Sequence, residues 1–188
     1  MVIDSHGNVY GSTLTGGANG YGAVFKVAPD GTATALYSFC SLPNCTDGRN
    51  PQAGLIADAA GNLYGTTLNG GANNQGEVFK LKRDGKLVVL HSFPFLDPAD
   101  GRWPEATLVQ DGAGNLYGTT YLGGANDAGT VFKLERTGKL TLLHSFCNES
   151  NCTDGVGPGA LIRDDAGNLY GTAGRGANQA GLVFKVSP

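Results

Sequence analysis

Four copies of one pattern, about 53 residues apart, run through the 188-residue chain and leave few folds open to it. The pentad Gly-Asn-aliphatic-Tyr-Gly begins at Gly7, Gly61, Gly114 and Gly167. A Gly-Ala-Asn tripeptide follows at Gly17, Gly71, Gly124 and Gly176, and Val-Phe-Lys at Val24, Val78, Val131 and Val183. The first three copies continue with Ser-Phe (Ser38, Ser92, Ser145) and then Asp-Gly (Asp47, Asp100, Asp154). The copies fall near 1–50, 51–103, 104–157 and 158–188, and they are expected to build one domain spanning 1–188.

Within the second copy, short apolar runs alternate with turn residues. Strands are predicted over 53–57, 62–67, 77–82 and 86–93, the first closed by Asp58-Ala59-Ala60-Gly61 and the third by Arg83-Asp84-Gly85. No helical period persists over 10–12 residues in the unit, which excludes a βαβ arrangement. Glycine supplies 31 residues, about twice its usual share, in a chain still 40% hydrophobic; that combination means many tight turns between buried strands. Four antiparallel strands in a unit of this size make a blade, so the fold class is all-β, a β-propeller of about four four-stranded blades. The lysine of each Val-Phe-Lys (Lys26, Lys80, Lys133, Lys185) is expected to lay its stem across the neighbouring blade. The fourth copy stops after its third strand, which leaves two arrangements open. Either four blades close a small ring, or the chain is part of a larger assembly, one that a homodimer completes or that belongs to a longer parent.

A net charge of −3 gives no basic face for nucleic acid. No apolar run approaches the roughly 18 residues that span a bilayer. Met1-Val2-Ile3-Asp4 leads into a polar turn rather than a signal peptide, and an export signal would precede these residues.

Several segments together resemble the GloVer repeat of bacterial choice-of-anchor tandem-repeat proteins: Tyr64-Gly65-Thr66-Thr67, Gly70-Gly71-Ala72-Asn73, Val78-Phe79-Lys80-Leu81, Leu90-His91-Ser92-Phe93 and Gly114-Asn115-Leu116-Tyr117-Gly118. The resemblance spans the chain and implies an exported or surface-attached bacterial protein. More distantly, Asp-x-x-Gly-Asn-Leu-Tyr is similar to NHL-type propellers, which include binding scaffolds and a few enzymes; fold alone does not choose between them.

The four cysteines form two Cys-x4-Cys pairs, Cys40/Cys45 and Cys147/Cys152, at matching places in copies one and three. Copy two has lost both together, as a bonded pair would. Two disulfides are therefore expected, and with them an oxidising, extracellular location. In the same loops an Asx precedes the Asp of Asp-Gly by three residues: Asn44/Asp47, Asp97/Asp100 and Asn151/Asp154. These oxygens are weak calcium candidates; a loop-fixing Asx turn is preferred, because a full calcium loop needs more carboxylates. No cofactor is otherwise expected. His91 and His144 share a strand position with Tyr37, where aromatic packing serves equally well.

No nucleophile or metal motif occurs, and most acids recur in register, Asp58, Asp111 and Asp165 closing first strands. The reading is a non-catalytic, extracellular binding or scaffold propeller, with a glycan or cell-surface polymer as partner. The alternatives are a polysaccharide lyase or hydrolase, and a purely structural repeat protein. The long loops between strands two and three and between blades share one face, where a ligand is expected. Residues that do not recur are the informative ones there: Trp103, Arg102, Tyr121 and Asp127 offer an aromatic platform with hydrogen-bonding groups for a sugar.

Overall fold

A computed structural model of the chain describes residues 1–95, 100–176 and 180–188. It divides into two compact units, Met1–Ser92 and Phe93–Pro188. The first unit holds two antiparallel sheets, β1(Val2–Ile3)-β2(Val9–Thr13)-β3(Ala23–Val27)-β4(Ala33–Ser38) and β5(Ile56–Ala57)-β6(Leu63–Thr67)-β7(Glu77–Leu81)-β8(Leu87–Ser92). The second holds β9(Val109–Gln110)-β10(Leu116–Thr120)-β11(Thr130–Leu134)-β12(Leu140–Ser145) and the three-stranded β13(Val156–Arg163)-β14(Leu169–Arg175)-β15(Leu182–Val186). Each sheet is a propeller blade with its strands in sequence order. The second, third and fourth strands of copy two lie within a residue or so of the predicted limits. Its first strand is shorter than predicted, because the carbonyl of Ala53 accepts a hydrogen bond from Ser12 Oγ of the preceding blade instead of joining the ladder.

The repeated residues explain why the blades form. In Leu-Tyr-Gly-Thr the glycine pairs across strands with the phenylalanine of Val-Phe-Lys: a β-carbon on Gly65 would stand 2.8 Å from the ring tip of Phe79. The missing side chain lets the ring lie flat on the sheet and turn its edge to the phenylalanine of another Ser-Phe. Phe39 meets Phe79 at 5.1 Å between centroids in the first unit, and Phe93 meets Phe132 and Phe146 meets Phe184 in the second, all edge to face. Phe39, Phe79, Phe93, Phe132 and Phe146 are fully buried. Each ring withdrawn from water contributes about 1.5–3 kcal/mol, so these contacts dominate blade cohesion.

A second device fixes the turn before each pentad. Asp58 accepts the backbone N–H of Ala60 and Asn62, the Asn62 amide and the Tyr64 hydroxyl. Asp4, Asp111 and Asp164 do the same with Asn8 and Tyr10, Asn115 and Tyr117, and Asn168 and Tyr170. In copy four the clamp falls on Asp164 rather than on Asp165, because the acid must lie three residues before the pentad glycine. The lysine expectation is also corrected. Lys80 and Lys185 hold their ammonium groups over Tyr64 and Tyr170 of their own blades, at 5.1 and 5.6 Å, because the two residues are cross-strand partners.

Candidate functional site

The long loops are held by hydrogen bonds of the repeated residues. Ser38 Oγ accepts the N–H of Ala18, and Ser145 Oγ that of Ala125, so the Gly-Ala-Asn segment hangs from the end of the fourth strand. Asn19 and Asn126 donate to the carbonyls of Phe39 and Cys147. Cys40 is bonded to Cys45 and Cys147 to Cys152, each pair closing its own loop around a short 3-10 turn (Pro43–Cys45 and Ser150–Cys152).

The proposed calcium residues serve the loop. Asp47, fully buried, accepts the Tyr37 hydroxyl at 2.7 Å, the Ser41 hydroxyl and the N–H groups of Ser41 and Leu42. Its burial disfavours charge, but these donors outweigh that and hold its pKa below the ordinary aspartate value. Asp154 accepts the N–H of Asn148 and Glu149 and lies 3.5 Å from Nε2 of His144. The aspartate thus reaches back five or six residues, unlike an Asx turn, and the Tyr37/His144 position supplies a polar tip as well as a ring. Asn44 and Asn151 sit inside the 3-10 turns at φ 58°. Asp100 ends the corresponding stretch of copy two, and Asp97 lies outside the described residues. Among the described residues no group of three His, Cys, Asp or Glu side chains is placed to hold a metal ion.

The four residues singled out for a ligand are joined at one place in the second unit. Arg102 pairs its backbone with Leu122, and Tyr121 donates its N–H to the carbonyl of Trp103. Nη2 of Arg102 donates to Oδ2 of Asp127 at 2.7 Å, and its guanidinium carbon lies 5.9 Å from the Trp103 ring centre. Asp127 also accepts the N–H of Gly123, which ties this ion pair to the loop. Tyr121 is 46% exposed, and its ring lies over Gly157, where a β-carbon would stand 3.0 Å from it. The two aromatic residues therefore form a ledge through their backbones rather than a stack. Trp103 is half-buried and has φ 58°, a left-handed conformation. The matching positions of the other copies carry Asn50 and Gly157, also left-handed. Asparagine and glycine tolerate that region; a bulky residue there costs about 1–2 kcal/mol.

One acid that does not recur was not among the residues expected at a site. Glu77 begins β7, where the other blades begin their third strands with Ala23, Thr130 and Leu182. It is fully buried, and neither carboxyl oxygen has a hydrogen-bond partner; Thr67 Oγ1 beside it has none either. Burial, with the charge of Asp47 adding to it, pushes the Glu77 pKa up to about 9. In the third blade the same place holds a mutually bonded pair, Thr120 and Thr130 at 2.8 Å. The signal available in the sequence was the register itself: aligning the residue before each Val-Phe-Lys isolates Glu77. Sealed from solvent, this carboxyl reaches no substrate.

A cleft of about 800 Å³ in the first unit lies among its tight turns, lined by Val2, Asp4, Tyr10, Asp58, Leu63 and Arg83. The carboxylates in it are those of the turn clamps, already saturated by their own asparagines and tyrosines.

Residues 1–188 match the Gloeobacter/Verrucomicrobia repeat. Among solved structures the chain is similar to a gluconolactonase from Xanthomonas campestris (16% identity, TM-score 0.59, 99% of this chain and 55% of that one). It is also similar to a luciferin-regenerating enzyme (18%, TM-score 0.51, 94% and 57%) and to a protein described as a gluconolactonase (16%, TM-score 0.55, 99% and 62%). At these identities the likeness concerns the propeller fold alone, and the chain spans less than two thirds of each of these proteins. No curated protein matches it.

Proposed function

Because the chain belongs to the Gloeobacter/Verrucomicrobia repeat family and carries a single tryptophan on its long-loop side, we propose that it is a non-catalytic extracellular propeller that binds a glycan at the ledge of Arg102, Trp103, Tyr121 and Asp127. One observation carries the reading: Trp103 occupies a left-handed position that its sister copies fill with asparagine and glycine. A residue kept at a conformational cost in a surface loop is retained for what its side chain does. A half-buried indole beside an ion-paired guanidinium and an exposed tyrosine offers an apolar face for a sugar ring, with polar groups at its edge for the hydroxyls. The two bonded cysteine pairs support an oxidising, extracellular location. Glu77, an acid without counterparts in the other copies, lends the enzyme alternative no support, because it is sealed off.

A glycan array probed with the wild type and with Trp103→Ala tests this. Binding by the wild type that disappears in the variant, with the fold intact by circular dichroism, is the expected result. Equal binding by both proteins overturns the reading.

A further inference from the structure

The first unit repeats the framework of the ledge but changes its charge. Arg49 stands in register with Arg102: both follow the Asp-Gly of the preceding copy, and both pair their backbone with the loop between the second and third strands, Arg49 with Asn69 and Arg102 with Leu122. The next residue is left-handed in both cases, Asn50 and Trp103, as is the residue that answers the guanidinium, Asn74 and Asp127. Each guanidinium also lies near an aromatic ring. The Arg49 guanidinium carbon is 5.8 Å from the ring centre of Tyr21, which is 41% exposed, and Asn50 donates its N–H to the Tyr21 carbonyl at 2.8 Å. The difference is the partner. Arg102 is neutralised by the Asp127 carboxylate, whereas Nη2 of Arg49 bonds the neutral amide oxygen of Asn74 at 3.1 Å. Nε of Arg49 is buried and has no hydrogen-bond partner.

We infer that Arg49, Tyr21 and Asn74 form a second glycan subsite, and that it takes an acidic sugar such as a uronate. A guanidinium whose fork is met only by an amide retains its full charge for a ligand carboxylate, and a planar carboxylate matches the fork in two parallel hydrogen bonds. Tyr21 gives the sugar ring an apolar face, and the exposed Asn74 amide sits where a hydroxyl next to the carboxylate would be read. The subsite of the first unit thus takes the acidic residues of a glycan. The inference rests on the glycan reading above and sharpens its ligand class.

The test is titration of the full chain with polygalacturonate and with its methyl-esterified form, in low and in high salt. Arg49→Gln keeps a side chain able to bond Asn74 but removes the charge; Tyr21→Ala, at an exposed position, removes the platform and guards against misfolding of the first variant. Expected are at least a roughly 10-fold loss of polygalacturonate affinity in both variants and weaker wild-type binding in high salt, with the ester bound no more tightly by wild type than by Arg49→Gln. If both variants bind polygalacturonate like the wild type while Trp103→Ala does not bind, the second subsite is refuted and the first stands. If the wild type binds neutral glycans on an array but not polygalacturonate, the acidic class is refuted and the ledge is untouched. Glycan binding that is unchanged in Trp103→Ala refutes the reading on which this one rests.

Discussion

Glu77 presses its carboxyl against the α-carbon of Gly48, so closely that a β-carbon on that glycine would stand 2.7 Å from Oε1. The loop between the first two blades therefore passes over a buried acid, and Asp47, next in the chain, is the charge that faces it.

The pH dependence follows from this pair. A glutamate ordinarily ionises near 4.5, and Glu77 in the folded chain holds its proton to about 9. Below 4.5 it is neutral in both states and contributes nothing. Between those values the unfolded chain releases a proton that the folded chain keeps, so stability falls as pH rises. Glu77→Gln removes that dependence. At pH 7 it should stabilise the protein relative to wild type by up to about 3 kcal/mol, the difference vanishing by pH 4. Urea unfolding of both proteins at pH 4, 7 and 8.5 checks this; parallel curves at all three would show that the carboxyl is ionised in the folded chain.

Trp103 separates stability from binding. Trp103→Asn restores the residue of the first copy at a left-handed position, relieving about 1 kcal/mol of backbone strain against a similar loss of indole contact. The melting temperature should stay within a few degrees of wild type. A fall of ten degrees or more in a thermal melt would mean the indole is a structural plug.

The aspartate clamps act at the acid end of the scale. For Asp58 and Asp111, burial raises the pKa but the hydrogen bonds from Asn62 and Asn115 and from the tyrosines outweigh it, and both end below the ordinary aspartate value. Their folded pKa is depressed, so the stability they give is present above the unfolded value and is lost as pH falls through the folded one. Acid unfolding should set in below about pH 4, and Asp111→Asn should blunt it. Carboxyl titration by NMR reads the shifts directly.

The cysteine pairs predict a mass. The chain without reductant should weigh four hydrogens less than after reduction, and each bridge over so short a loop should add about 2 kcal/mol on the loop-entropy estimate. Four alkylatable thiols in the native protein would remove both the bridges and the case for an exported chain.

The blades were legible in the sequence because their determinants are local and recur: Gly65 against Phe79, and Asp58 against Asn62 and Tyr64, lie at fixed offsets within one copy. So were the cysteine pairs. What escaped notice depends on contacts between segments of different copies. Glu77 looked like one more charged residue until Gly48, from the loop before its blade, was seen to close over it. Arg49 is not conspicuous in the sequence, because it recurs at the register of Arg102 and differs only in its partner. For Lys80 and Lys185 the expectation overlooked the cross-strand tyrosine of the same blade, which each ammonium meets.

Every contact that joins one blade to another through the phenylalanines uses a residue that the repeat itself supplies: Phe39 is to Phe79 what Phe146 is to Phe184. The surfaces meeting at such a seam are thus interchangeable parts. Duplication or excision of a whole copy at the genetic level would preserve the phenylalanine contacts at each seam. The residues that differ between copies, such as Trp103 and Glu77, would travel with their blades in such an event.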